Sequence, residues 1–154
     1  MKILIVDDEE MIRGVLREYV EFEGNAAAEA SDGMEAVKLC KERDYDLVLM
    51  DVMMPHLDGF SAVKEIKKTK DVPVIMLSAR GEEYDKLFAF ELGVDDYVTK
   101  PFSPKEVMAR INAVTKRRAA NKEGMDGVER FEGLEIDQAG RNVYVNGEKA
   151  TLTP

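Results

Sequence analysis

Cysteine and histidine are nearly absent from this 154-residue sequence, which has one of each, Cys40 and His56. A single cysteine excludes an internal disulfide framework, and a single histidine excludes a histidine-rich metal cage. Long apolar runs are missing as well. None approaches the ~20 residues that a membrane-spanning helix needs. The N-terminal stretch Met1-Lys2-Ile3-Leu4-Ile5-Val6 runs straight into acids and is too short for a secretory signal. These absences predict a cytoplasmic protein with no membrane partner. Basic residues are the minority, 22 against 31 acidic, for a formal charge of −9. The phosphate backbone repels so acidic a chain, which disfavours nucleic-acid binding by the chain as a whole. What is present, 45% hydrophobic and 34% charged residues, is the composition of an ordinary globular protein. The length allows one full domain and a small piece of another.

Residues 1 to about 118 alternate short apolar runs with amphipathic helical patterns. Ile3-Leu4-Ile5-Val6, Leu47-Val48-Leu49-Met50 and Val74-Ile75-Met76-Leu77 show no in-out alternation, as expected of parallel strands buried on both faces. Ala26–Ala30 and Tyr97-Val98-Thr99 are weaker strand candidates. Helical spacing appears in Ile12, Val15, Leu16, Tyr19 and Val20, with Gly24 as a stop. It recurs in Gly33, Ala36, Val37 and Cys40, and in Ala62, Val63 and Ile66. A fourth helix carries the stripe Tyr84, Leu87, Phe88 and Leu92, stopped at Gly93. Ser103, Pro104 and Glu106 form a capping box with proline at the first helical position, and Val107, Ile111 and Val114 give the last buried stripe. Five βα units with crossovers of this length predict an α/β fold with a doubly wound parallel sheet.

The pattern changes after Ala119. Residues 119–127 are polar and contain glycine, which reads as a linker. From Val128 short alternating segments follow: Phe131, Leu134-Glu135-Ile136 and Val143-Tyr144-Val145, with Asn146-Gly147 as a hairpin signal. This predicts a small antiparallel meander over 128–154, too little to stand alone. Thr153-Pro154 reads as the start of a helix that is not reached, so the chain is expected to be a fragment.

Ligands of open parallel sheets bind at the carboxyl ends of strands, where the strand order reverses. Asp7 and Asp8 end one strong strand and Asp51 ends another. With the order 2-1-3-4-5, three carboxylates converge in one crevice. Carboxylates so crowded repel one another unless a cation joins them. Mg²⁺ fits, because it takes one or two carboxylates, keeps waters and accepts a phosphate oxygen. A carboxylate beside it can become an aspartyl-phosphate. Lys100, after the fifth strand, supplies positive charge, and Ser78, after the fourth, supplies a hydroxyl. Taken singly, an aspartate after a strand is more often a turn or helix-cap residue, and Lys100 and Ser78 are a solvated charge and a turn residue. The joint placement of all five at strand ends favours chemistry.

These residues resemble the receiver domain of two-component response regulators. The resemblance runs over about 1–118 and rests on Ile5-Val6-Asp7-Asp8-Glu9, Leu49-Met50-Asp51, Met54-Pro55, Asp58-Gly59, Leu77-Ser78-Ala79-Arg80 and Asp95-Asp96-Tyr97-Val98-Thr99-Lys100-Pro101-Phe102. It implies the flavodoxin-like (βα)5 fold and phosphorylation of Asp51 by a sensor histidine kinase. It also implies Mg²⁺ held directly by Asp8, Asp51 and the Met53 carbonyl, with Asp7 acting through metal-bound water. Lys100 is implied to contact the phosphoryl group or, before it arrives, Asp51. Ser78 is implied to bond the phosphoryl oxygen while Tyr97 acts as a switch that turns inward. The Lys100-Pro101 bond is implied to be cis. Met53 and Arg80 are implied to tune phosphoryl lifetime.

Residues 128–154, through Phe131, Arg141-Asn142-Val143 and Leu152-Thr153-Pro154, resemble the opening strands of a winged-helix DNA-binding domain of the OmpR/PhoB subfamily. DNA would then be bound only through the part that is missing. The subfamily resemblance implies homodimerisation on phosphorylation through the fourth helix, fifth strand and fifth helix. Lys86, Asp95, Asp96, Glu106 and Arg110 stand at the charge-pair positions, and Leu87, Phe90 and Met108 at the apolar centre. Asn112 departs from the usual lysine and leaves Glu91 without that partner. His56 reads as an exposed loop residue and Cys40 as a small core residue. Lys116-Arg117-Arg118 reads as a charged helix end. The whole predicts a phosphoacceptor switch rather than an enzyme of general turnover. A hydrolase of similar fold with an aspartate nucleophile would carry a second carboxylate where Met53 stands. The remaining alternative is a phosphorylation-independent flavodoxin-like interaction module.

Overall fold

The computed structural model describes residues 1–79, 81 and 83–128, with side chains as far as 121. Five strands and five helices alternate: β1 (Lys2–Val6), α1 (Glu10–Phe22), β2 (Ala26–Ala30), α2 (Gly33–Glu42), β3 (Leu47–Asp51), α3 (Gly59–Lys67), β4 (Val74–Ser78), α4 (Glu83–Glu91), β5 (Asp96–Thr99) and α5 (Pro104–Val128). All strand pairs are parallel, in the order β2-β1-β3-β4-β5. The chain divides into two units, Met1–Lys116 and Arg117–Pro154, and the sheet belongs to the first.

The unalternated strands are buried on both faces because helices cover both. Leu4, Val6, Val48, Met50, Val74 and Met76 face one side, with residues of α2 and α3 packed on them. Their neighbours Ile3, Ile5, Leu47, Leu49, Ile75 and Leu77 face the other, beneath Leu16 and Val20 of α1 and Val107, Ile111 and Val114 of α5. Each such side chain contributes about 1.5–3 kcal/mol on leaving water. Cys40 is a buried member of the first cluster. Gly24 and Gly93, the expected stops of α1 and α4, take φ of +88° and +101°, which side chains disfavour and glycine does not.

Three expectations are corrected. The apolar stripe of α4 does not face the sheet. Tyr84, Leu87, Phe88 and Phe90 are exposed, while Asp85 and Ala89 are buried. Leu92, just past the helix, packs on the same cluster as Ala89. Apolar residues surround this short helix, so their spacing does not fix its rotation. The smaller side chains at Asp85 and Ala89 form the side that packs inward. Second, α5 runs to Val128, so the polar stretch 119–127 is helical and Lys116-Arg117-Arg118 is not a helix end. Alanine, lysine, glutamate and methionine are good helix formers, and a formed helix extends at low cost despite two glycines. Third, Met108 is 2% exposed and packs with Val107 and Ile111, so it offers little side chain to a partner. The expected meander of 128–154 lies, beyond Val128, outside the described residues.

At the start of α3, Asp58 accepts a hydrogen bond from the Ser61 amide at 2.9 Å. This cap holds the helix close against the end of β3. A Cβ on Gly59 would stand 2.1 Å from the Asp51 carbonyl oxygen, so only glycine fits. In α1, by contrast, Gly14 has open space around its missing Cβ. Gly14→Ala is expected to stabilise the protein by about 0.5–1 kcal/mol, read as a raised Tm, because alanine has the smaller backbone entropy loss in a helix. Gly59→Ala is expected to lower Tm, because the end of β3 must shift to admit the methyl group.

Candidate active site

The parallel register brings the candidate residues together. Val6 pairs with Met50, Asp51 with Leu77, and Ser78 with Thr99. The chain leaving each of these strands therefore opens onto the same end of the sheet. Asp7 follows β1 and is fully buried, and its backbone amide bonds to the Ala30 carbonyl at 3.2 Å. Asp8 is exposed. Asp51, the last residue of β3, is 3% exposed. One carboxylate oxygen from each of the three lies within 4.8 Å of the others. Among the described residues this is the single cluster of three histidine, cysteine, aspartate or glutamate side chains able to hold a cation.

One cation of the chain reaches in. Lys100 Nζ is 3.1 Å from Asp7 Oδ2 and 3.4 Å from Asp51 Oδ1. Its backbone is fixed by an amide hydrogen bond to the Ser78 carbonyl at 2.7 Å, and the Lys100-Pro101 bond is cis. A single ammonium cannot neutralise three carboxylates. Burial and the nearby Asp7 carboxylate push the Asp51 carboxyl up to about 6, against the pull of Lys100. Lys100 is itself raised. Burial is its largest influence and lowers it, but Asp51 and Asp7 together outweigh that. The residual negative charge and the all-oxygen donor set fit a hard divalent cation such as Mg²⁺.

Ser78 is fully buried at the end of β4. Tyr97, on β5, is also buried and packs in the cluster with Met76 and Ala89. It lies inward in this structure. Met53, two residues after Asp51, is exposed, and Arg80 lies outside the described residues. Sequence reasoning missed Arg13 here. The Glu9 amide donates to Asp7 Oδ1 at 2.9 Å, and Arg13 donates to the Asp7 carbonyl at 2.7 Å while its Nε bonds Glu29 at 2.9 Å. Arg13 lies one turn into α1, where no motif marks it.

On the face of α4, β5 and α5, Leu87 and Phe90 are exposed. Phe88 meets Phe60 edge-on with ring centroids 5.1 Å apart. Four of the five expected charge-pair residues, Asp95, Asp96, Glu106 and Arg110, are engaged within the chain. Arg110 bonds both carboxylate oxygens of Asp96, at 3.0 and 2.8 Å, and reaches Glu106 at 3.3 Å. Asp95 Oδ1 accepts from the Val74 amide at 3.1 Å. Lys86 is half-buried. Ser103 Oγ accepts from the Lys105 and Glu106 amides at 3.1 and 3.4 Å, which is the first half of the expected capping box.

Residues 3–112 match the family described as the response regulator receiver domain. The probable transcriptional regulator ycf27 of Guillardia theta is 46% identical over 156 residues, covering 99% of this chain and 61% of that protein. The transcriptional regulatory protein ResD of Bacillus subtilis is 42% identical over 158 residues, covering 99% of this chain and 66% of its own length. The chain thus spans less than two thirds of these curated relatives. Among solved structures, the receiver domain of Francisella response regulator 1452 superposes with a TM-score of 0.72 at 39% identity, covering 76% of this chain and 98% of that one. The Vibrio cholerae chemotaxis protein CheY4 does so with a TM-score of 0.70 at 28% identity, over 73% and 97%. With a 2-1-3-4-5 parallel sheet, an acidic crevice and a family match over most of its length, this chain belongs to the receiver domains of two-component response regulators, which are phosphoacceptor switches.

Proposed function

We propose that Asp51 accepts a phosphoryl group from a sensor histidine kinase. The observation that carries this is one buried carboxylate at the end of β3, with two further carboxylates and a single lysine around it. Asp7, Asp8, Asp51 and the Met53 carbonyl would hold Mg²⁺, which when bound supplies positive charge against the phosphoryl oxygens. An Asp51 carboxylate oxygen attacks phosphorus as the phosphorus–nitrogen bond to the donor imidazole breaks, and the nitrogen leaves with the bonding pair. Lys100 leans on Asp7 and Asp51 beforehand and turns to the new phosphoryl oxygens afterwards. Ser78 donates its hydroxyl to one of them, and Tyr97 occupies the space inside. Catalysis here is positioning and charge, without turnover of other substrates. Met53 in place of a second carboxylate supports that reading over a hydrolase.

The kinase needs a surface beside the crevice. A groove of about 530 Å³ lined by Met11, Ile12, Val15, Pro101 and Phe102 borders Lys100 and offers one. Phosphorylation replaces the single charge of the Asp51 carboxylate with nearly two on the phosphoryl oxygens, a net gain of about one negative charge. We take this to bias the face bearing Lys86, Leu87, Phe90, Asp95, Asp96, Glu106 and Arg110 toward a two-fold homodimer. Residues 1–118 form the receiver in this reading. Residues 128–154 begin a winged-helix domain, and the longer protein controls transcription in the cytoplasm, binding DNA through that domain. The names of the relatives as transcriptional regulators support this.

Incubation with Mg²⁺ and a small phosphoramidate or acyl phosphate is expected to add one phosphoryl group by intact mass. Asp51→Ala is expected to add none, and gel filtration to shift toward dimer only in the modified protein. An unmodified wild-type protein would refute the reading. Mg²⁺ binding is also expected to weaken with acid. Protons compete for Asp51 with a pKa of about 6, so calorimetric affinity at pH 5 should be about tenfold below that at neutral pH. A flat profile would mean that Asp51 is not a ligand.

A further inference from the structure

The loop joining β3 to α3 leads directly from Asp51 and carries Met53. Its middle adopts an uncommon shape. The Leu57 amide donates to the Pro55 carbonyl two residues back at 2.8 Å, and His56 between them has φ of +69°. A bond from residue i to i+2 across a positive φ marks a γ-turn of the rare, strained kind. His56 is the single described residue other than glycine with positive φ. Such backbone persists only where its surroundings hold it.

Two contacts hold it, both from the start of α2, at its cap Asp32 and its first residue Gly33. His56 Nδ1 lies 2.8 Å from Asp32 Oδ2. The Gly33 amide donates to the Leu57 carbonyl at 3.1 Å. The approach is so close that a Cβ on Gly33 would stand 2.2 Å from that carbonyl oxygen. Asp32 can serve the loop without leaving its own helix, since its Oδ1 caps α2 by accepting from the Glu35 amide at 2.8 Å while Oδ2 faces the imidazole. His56 is otherwise largely in water, so burial does not explain the contact.

We propose that His56 and Asp32 are a positioning pair: their side-chain bond clamps the strained turn of the β3–α3 loop and so presets the Met53 carbonyl beside Asp51 for the cation. This rests on the phosphoacceptor reading above. The pair touches neither the phosphoryl group nor the metal. It acts through the backbone of residues 52–57, which is also held by the Val52 amide on the Leu77 carbonyl at 3.2 Å and by the Gly59 amide on the Val52 carbonyl at 2.8 Å, while Met54 and Leu57 pack on the apolar cluster. The pair and the Gly33 amide add the contacts at the turn of residues 55–57 itself.

The test uses substitutions that spare the other roles of each residue. Asp32→Ser keeps a good helix cap but is too short to reach His56. His56→Asn tolerates positive φ but falls short of Asp32. Two readouts are taken on the whole chain, Mg²⁺ affinity by calorimetry and amide hydrogen exchange of the metal-free protein. Each single variant is expected to weaken Mg²⁺ binding three- to tenfold and to speed exchange at the Leu57 and Gly33 amides. Exchange in the rest of α2, from Met34 to Glu42, should stay at the wild-type rate. The double variant should be no worse than either single one, because both remove the same contact. Unchanged affinity and exchange in either single variant, or a double variant that loses the product of the two effects, would overturn the pairing. If the unaltered protein itself neither binds Mg²⁺ nor takes up a phosphoryl group, the phosphoacceptor reading fails first, and the variants are not needed to show it.

Discussion

Repulsion among carboxylates that the sheet forces together is the constraint on which the rest of the site depends. Asp7 and Asp51 are buried, Asp8 stands at the rim, and one lysine ammonium is shared between the first two. Burial raises the cost of each charge, and proximity raises it again. The site is therefore held in a state that a divalent cation, or a proton on Asp51, relieves. A fold that stores unfavourable electrostatics at one end needs its stability elsewhere. Here that comes from strands buried on both faces, with two apolar clusters under α1 and α5 on one side and α2 and α3 on the other.

The same arrangement couples the crevice to distant surface. Lys100 is tied by its backbone to Ser78, and Thr99, one residue earlier, pairs in register with Ser78. A change in what Ser78 and Lys100 contact is thus felt in β4 and β5 together. Tyr97 sits on β5 within the apolar cluster that includes Ala89 of α4. The exposed side of α4 carries Leu87 and Phe90, while Asp96, Glu106 and Arg110 are already linked across β5 and α5. Helix α4 meets the sheet through the small side chains of Asp85 and Ala89, and Phe88 touches Phe60 of α3 edge-on, so its apolar footing is narrow. A packed element with a thin apolar footing is a physical basis for a two-state switch.

Loops around the crevice are fixed by backbone contacts that tolerate no side chain. Gly59 meets the Asp51 carbonyl, and Gly33 meets the Leu57 carbonyl. One brings the start of α3 against the end of β3, and the other brings the start of α2 against the loop that follows it. The γ-turn at His56 is the strained part of that loop. The cost of its shape is offset by the Asp32 contact and by the Gly33 amide, outside the loop itself.

The sequence by itself determined the sheet, its parallel sense and the ends at which chemistry gathers. Unalternated apolar runs can be satisfied only by two covered faces, and acids, serine and lysine directly after those runs must fall at one end of a parallel sheet. It also made Asp7, Asp8, Asp51, Ser78 and Lys100 legible as a set. What only the tertiary structure decided is of three kinds. The rotation of α4 was undetermined because apolar residues surround it, and packing chose the side with the smallest side chains. The end of α5 was undetermined because a polar, glycine-bearing stretch is compatible with either linker or helix, and an existing helix extends cheaply. The partners of Arg13, Asp32 and His56 were invisible because their contacts join residues six to twenty-four positions apart, and no local pattern encodes a meeting that the fold alone creates.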